Sequence, residues 1–327
     1  MTTRFAARLR AGIGAVMVAC VAVGTAFAQN ASDADASWNF DDFEDADPTF
    51  IEQLALQAPD LLLFSAFATL AMISFLRKSE PLKYVTLVAS VALLGVYGSQ
   101  LISITNVLGA LTGTVPLHVE SLAFSALVIF TIVTTVLWGR VYCGRICAFG
   151  ALTQLIDAIV PARFQIEIPP AIEKRASLIK YIVLFGAITW YLLTHENGFY
   201  RYIEPFWMFS FNASTALWVG LIVLLIASVF VRNLYCRFLC PLGAALGIVS
   251  KLSVFKIKRW SECSTCRLCE KACEWGAIQD RAIVMSECVR CDVCEILYDS
   301  KARCPHWLLE AKRKRRTPGL PEAGSAS

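Results

Sequence analysis

Residues 119–151 read VESLAFSALVIFTIVTTVLWGRVYCGRICAFGA. From 119 to 138 the only charge is Glu120, and the run approaches the ~20 residues that a bilayer-spanning helix needs. It ends in a cysteine pair, Cys143 and Cys147. Four further apolar runs lie at about 61–76, 84–105, 177–194 and 215–231. Over all 327 residues, 57% are hydrophobic and 17% charged, with a mean hydropathy of +0.57. Soluble domains stand nearer half apolar and about a quarter charged, so a purely soluble enzyme is excluded, as is disorder over most of the chain.

The N-terminus has the order of an export signal. Arg4, Arg8 and Arg10 precede an apolar stretch from Ala11 to Phe27, and Ala26-Phe27-Ala28 offers a cleavage site before Gln29. Cys20 lies inside the apolar stretch and is read as filler. No Lys or Arg occurs between Gln29 and Leu76, and Asp33, Asp35, Asp41, Asp42, Glu44, Asp45 and Asp47 make residues 29–60 an acidic, solvated segment.

Basic residues set the expected orientation. Arg77, Lys78 and Lys83 link the first two runs, and Arg140, Arg145, Arg163, Lys174, Arg175 and Lys180 lie between the third and fourth. With those from Arg232 onward, 26 of the 30 fall on one side of the membrane. The positive-inside rule then places the mature N-terminus in the periplasm and the C-terminus in the cytoplasm of a multi-pass inner-membrane protein. The tail Lys312-Arg313-Lys314-Arg315-Arg316 reads as an anchor to anionic lipid, with no nucleic-acid partner.

Twelve of the thirteen cysteines lie between Cys143 and Cys304. Cytoplasmic thiols stay reduced, so these groups read as metal ligands rather than disulfides. Cys263, Cys266, Cys269 and Cys273 are spaced C-x2-C-x2-C-x3-C; Cys288, Cys291 and Cys294 repeat the triplet, and Cys304-Pro305 closes the set. Three thiolates of a tight triplet converge on three irons of a cubane, and the fourth iron is ligated from the other run. One [4Fe–4S] cluster is therefore assigned to Cys263, Cys266, Cys269 and Cys304, and a second to Cys288, Cys291, Cys294 and Cys273. Paired C-x2-C units also serve zinc, but triplets suit it poorly. The insert Glu295–Arg303 is expected to loop out, and Ala277-Ile278 and Ile283-Val284 to form a short hairpin.

The third and fifth runs end alike. Tyr142-Cys143-Gly-Arg-Ile-Cys147-Ala-Phe-Gly150-Ala151 aligns with Tyr235-Cys236-Arg-Phe-Leu-Cys240-Pro-Leu-Gly243-Ala244, with Ala148 where the second copy has Pro241. At i and i+4 the sulfurs share a helix face or the lip of a helix end, and all four meet if the two ends are neighbours. A third cluster or other metal site, a pair of redox dithiols, and simple packing of small residues all remain open. His118, His195 and His306 read as polar anchors; an outer histidine could take a proton at a quinol site, without support from spacing.

The expected architecture is an α-helical integral membrane bundle, with about five transmembrane helices after a signal peptide, carrying a C-terminal α+β two-cluster ferredoxin-like module. Its parts are a signal peptide at 1–28, an acidic periplasmic segment at 29–60, a transmembrane domain at 61–250 with two CxxxC motifs at the cytoplasmic face, the ferredoxin-like domain at 251–310, and a basic tail at 311–327. On QLISITNVL (100–108), the two cysteine motifs and Cys288–Pro305, the chain resembles the membrane and polyferredoxin half of the NosR/NirI family, and more distantly NapH-type and CcoG-type proteins. The long spacer before Cys304 is the most distinctive feature of the likeness. The resemblance implies membrane iron–sulfur electron transfer between a cytoplasmic or quinone side and a periplasmic redox partner, in denitrification-type respiration. Since the short acidic segment stands in place of the family's flavin-binding domain, covalent FMN on this chain is not expected; a separate flavoprotein, cytochrome or reductase would supply the outer site. A metal-maturation or copper-handling reductase and a redox-sensing regulator are the alternatives. A reporter active only in the cytoplasm should work when fused after Ser327 and fail after Pro116; the reverse pattern would overturn the charge argument.

Overall fold

A computed structural model of the chain describes residues 50–98, 101–111, 122–166, 168–194, 204–205, 215–257, 268–279 and 282–307. The signal-peptide expectation, the acidic segment before residue 50, the basic tail, Cys263, Cys266, His118 and His195 lie outside them. Helix α1 (Phe50–Arg77) turns into α2 (Glu80–Ser90) through Lys78, which adopts φ 49°, and Pro81 sits in the first turn of α2. The α2 helix continues as a π-helical turn over Val91–Tyr97. There follow α3 (Ile104–Leu111), α4 (Leu122–Trp138), α5 (Val141–Arg145), α6 (Ala148–Ile159), α7 (Pro170–Ala176), α8 (Ile179–Thr194) and α9 (Thr215–Phe230). A π-helical turn at Tyr235–Leu239 leads into α10 (Pro241–Ser250).

Among the described residues, three helical stretches are long and apolar enough to cross a membrane: Ala55–Arg77, Glu80–Tyr97 and Ile172–Thr194. The other two runs form helices of 17 and 16 residues, α4 and α9, shorter than those three. Their outward faces are apolar all the same. Ile129, Ile132 and Val133 on α4, Ile182 and Phe185 on α8, and Val219, Ile222 and Val223 on α9 are all exposed. An apolar ring around a helical bundle is the surface that hydrocarbon, not water, tolerates. On the inner face of α4, Thr131 and Thr134 return their hydroxyls to the carbonyls of Leu127 and Phe130 at 2.8 Å each, while the buried Thr135 hydroxyl is left without a partner among the described residues.

The C-terminal part is small: α11 (Leu268–Ala272), strands β1 (Ile278–Gln279) and β2 (Ala282–Ile283), and α12 (Val293–Asp299). The strands pair antiparallel, Ile278 opposite Ile283 and Gln279 opposite Ala282, as the apolar–polar–apolar pattern there predicts. One expectation is corrected. Most of the insert Glu295–Arg303 is helical rather than looped out, since Ile296, Leu297 and Tyr298 continue α12, which packs on α11.

This module is packed into the bundle. A single hydrophobic core runs from Phe64 and Phe67 on α1, through Tyr142, Ile146 and Phe149, to Trp275, Val289 and Cys291. Close approach requires Gly144, where a Cβ would stand 2.3 Å from the Val289 carbonyl oxygen. Gly144→Ala should therefore destabilise the protein by about 1–3 kcal/mol through overpacking. Gly186→Ala, with nothing within 4 Å of the new methyl, should be neutral or mildly stabilising. Thermal unfolding in detergent separates the two outcomes.

Candidate metal centres

The second cysteines of the two motifs adopt the same backbone conformation. Cys147 is the N-cap of α6 with φ −61° and ψ 117°, and Cys240 is the N-cap of α10 with φ −66° and ψ 111°. In each, the second cysteine's amide donates five residues back, Cys147 to the Tyr142 carbonyl at 2.9 Å and Cys240 to the Tyr235 carbonyl at 2.8 Å. The Gly243 amide donates to Cys240 Sγ at 3.2 Å. The cysteines thus sit at helix breaks, and the two breaks are neighbours. Cys147 feels the charge of Cys143, Cys240 feels Cys143 and Cys147, and Cys236 feels all three. All four are buried.

Their environment bears on the chemistry left open by spacing. Burial, then Cys143, pushes the Cys147 thiol up to about 12, and burial also raises Cys236 and Cys240. A dithiol that exchanges disulfides needs a ready thiolate, which such thiols do not offer. A bound metal supplies the missing positive charge and displaces the proton.

The second ferredoxin-like set converges likewise. Cys273, from the first run, is felt by Cys288, Cys291 and Cys294. These four sulfurs line one small cavity with Trp275, Ile278, Ile283 and Val289. The Ala277 amide donates to Cys273 Sγ at 3.3 Å. Arg290 and Asp292, between the cysteines of the triplet, take left-handed φ of 57° and 64°, a strained path that lets the backbone curl around the cavity. Trp275 is among the lining residues, and its Nε1 is buried without a hydrogen-bond partner among the described residues. An orphan donor beside four soft sulfurs fits an inorganic cluster whose sulfides accept hydrogen bonds. Of the first set, Cys269 lies near Cys294, and Cys304 is buried. No three His, Cys, Asp or Glu side chains among the described residues are close enough to ligate one metal ion. Ligands of a cubane each take a different iron and so stand further apart.

Charged residues join the two sets. Arg145 pairs with Asp292 and also donates to Ser74 Oγ, and Lys180 pairs with Glu287, while Arg237 pairs with Glu173 within the bundle. Arg290 Nε donates to the Trp138 carbonyl at 2.8 Å, and Lys78 meets Glu295 at 2.6 Å. These contacts were not legible from spacing. Nor was a polar cavity of about 210 Å³ lined by Lys83, Asp157, Arg232 and Glu274 among others, where burial pushes the Asp157 carboxyl up to about 6. Glu204 is also buried; it accepts from Ser103 and from the Ile104 amide at 2.8 Å, and burial pushes it up to about 7. His306 stacks on Tyr298 at 6.1 Å and sits edge-on to Trp307, a packing role.

A NosR family model matches residues 261–315, and a model described as a 4Fe-4S binding domain matches 121–167 and 213–259, the two regions holding the twin motifs. The chain is 38% identical over 214 residues to the regulatory protein NosR of Pseudomonas aeruginosa, covering 59% of this chain and 28% of that protein. To the NosR of Stutzerimonas stutzeri it is 32% identical over 290 residues, 80% of this chain and 39% of the relative. To the protein NirI of Paracoccus denitrificans it is 35% identical over 186 residues, 51% and 26% respectively. The chain therefore spans well under half the length of these curated relatives. No solved structure matches.

If Cys273 serves the second cluster, Cys273→Ser should lose about four irons per chain and leave the same residual EPR signal as Cys291→Ser. A residual signal matching Cys269→Ser instead would overturn the exchange of the fourth ligand.

Proposed function

The chain belongs to the NosR/NirI family of membrane proteins with a 4Fe-4S binding domain, and we propose that it is an electron-transfer subunit linking the cytoplasmic or quinone side of the inner membrane to a periplasmic redox partner. In this reading Cys263, Cys266, Cys269 and Cys304 hold one [4Fe–4S] cluster, Cys288, Cys291, Cys294 and Cys273 a second, and Cys143, Cys147, Cys236 and Cys240 a third iron–sulfur centre. Such centres, when bound, supply one-electron storage.

The observation that carries the reading is the shared core. Cys143, Cys147, Cys236, Cys240 and Cys291 belong to one buried cluster, with Trp275 and Val289 packed among them. The bundle thus holds its own cysteines against the ferredoxin-like module with no water layer between. The work of the protein residues is to fix that proximity, to exclude water, and to donate backbone hydrogen bonds to sulfur through Gly243 and Ala277. The partner outside the membrane is proposed to be a separate flavoprotein, cytochrome or reductase, in a denitrification-type respiratory chain. A redox-sensing regulator is the second reading, supported by the NosR relatives, which are named regulatory proteins.

Anaerobically purified protein should carry about twelve irons, about eight in the module and about four at the twin motifs. Cys147→Ser and Cys240→Ser should each lose the latter and stop electron transfer across the membrane. The double variant should be little worse than either, because residues holding one centre act as a unit. Additive losses would point to two independent dithiols.

A further inference from the structure

Arg140 stands where the two sets of cysteines meet. Its side chain is 1% exposed, among the most buried in the chain. Nη1 donates to the Ser286 carbonyl at 2.8 Å and lies 4.0 Å from Glu287 Oε2. The guanidinium donates toward the Cys143 sulfur, and neither Nε nor Nη2 completes a hydrogen bond with a described residue. The guanidinium charge is felt at Cys143, Cys240 and Cys236, and also at Cys288 of the second triplet. The nearest carboxylate, Glu287, is already paired with Lys180. A cation is therefore left over inside the protein.

Buried charge without a counter-charge is strongly unfavourable, and neutral thiols do not supply one. Four thiolates around iron and sulfide do, because such a centre is a net anion whose sulfurs accept hydrogen bonds. The guanidinium with its unfilled donors lies beside Cys143 and Cys240, two of the residues that would hold such a centre. The chain makes room for them: a Cβ at Gly243 would come within 2.8 Å of Arg140 Nη2. The twin position carries no charge. Asn233 precedes Tyr235 by two residues as Arg140 precedes Tyr142, and it too is buried with both amide atoms unpartnered. At this position of the repeat the positive charge thus comes from one half only, and Arg237 of the other half is paired with Glu173.

We propose that Arg140 is a positioning residue that neutralises the anionic iron–sulfur centre held by Cys143, Cys147, Cys236 and Cys240 and raises its reduction potential. The inference rests on the reading that these four cysteines hold such a centre. Reduction adds an electron to the centre, so a fixed cation beside it favours the reduced form. Through the Ser286 carbonyl the same side chain ties that centre to the loop that opens the second triplet.

The test is an EPR-monitored redox titration of the full-length protein, purified anaerobically, with iron counted in each sample. Arg140→Gln should retain iron and shift the redox equilibrium of the twin-motif centre at least tenfold toward the oxidised form, 59 mV for one electron. The first ferredoxin-like cluster should not move. Arg140→Lys should keep most of the wild-type potential, and Gly243→Ala, which crowds the guanidinium, should fall between. Equal potentials in wild type and Arg140→Gln at equal iron content would overturn the proposal. Should Arg140→Gln fail to fold, a wild-type potential in Gly243→Ala would do so. If Cys147→Ser contains as much iron as wild type, the twin motifs hold no centre; that iron count sinks the underlying reading separately, and the role of Arg140 with it.

Discussion

The structure depends on buried ion pairs between the membrane bundle and the cysteine-rich module. Arg145 with Asp292 and Lys180 with Glu287 are almost fully removed from solvent. Desolvating such charges costs several kcal/mol each, so these pairs are poor devices for stability alone. Their value is in register. The observed placement gives Arg145 and Lys180 their carboxylates, and losing it would leave both charges buried without partners. That placement brings Val289 against Gly144 and Cys291 into the core beside Cys143 and Cys147.

The same basic residues do two jobs. Along the sequence they sort the connecting segments by the side of the membrane. In the fold, Lys78, Arg140, Arg145, Lys180 and Arg237 contact module residues or connecting-segment acids rather than lying free at a lipid surface. Residues that carry the sequence argument for orientation thus also meet Glu287, Asp292 and Glu295 of the module.

The internal repeat is a matter of geometry more than composition. Both copies break a helix, place the second cysteine as an N-cap with extended dihedrals, and return its amide five residues back. They reach it differently, the first copy through the short helix α5 and the second through a π-helical turn. Proline at the helix start is favourable but dispensable, because its amide would be unbonded there anyway, which is why Ala148 does what Pro241 does. Where the copies differ in charge, Arg140 against Asn233, the environment of the four sulfurs becomes one-sided.

The sequence by itself determined the membrane character, the cysteine spacing, the hairpin at Ile278–Ile283 and the kinship of the two CxxxC motifs, because each is local: hydropathy over one run, spacing over a few residues, or a pattern repeated within the chain. It misread Glu295–Arg303 as a loop, since α12 draws part of its support from packing on α11. Only the tertiary structure put Cys273 in one cavity with the second triplet, packed the four motif cysteines into one core, and left Arg140 with unfilled donors beside them. Those facts depend on pairs far apart in the chain, Arg145 with Asp292 and Gly144 with Val289 among them. Such contacts form only when distant surfaces pack and exclude water, which no local pattern specifies.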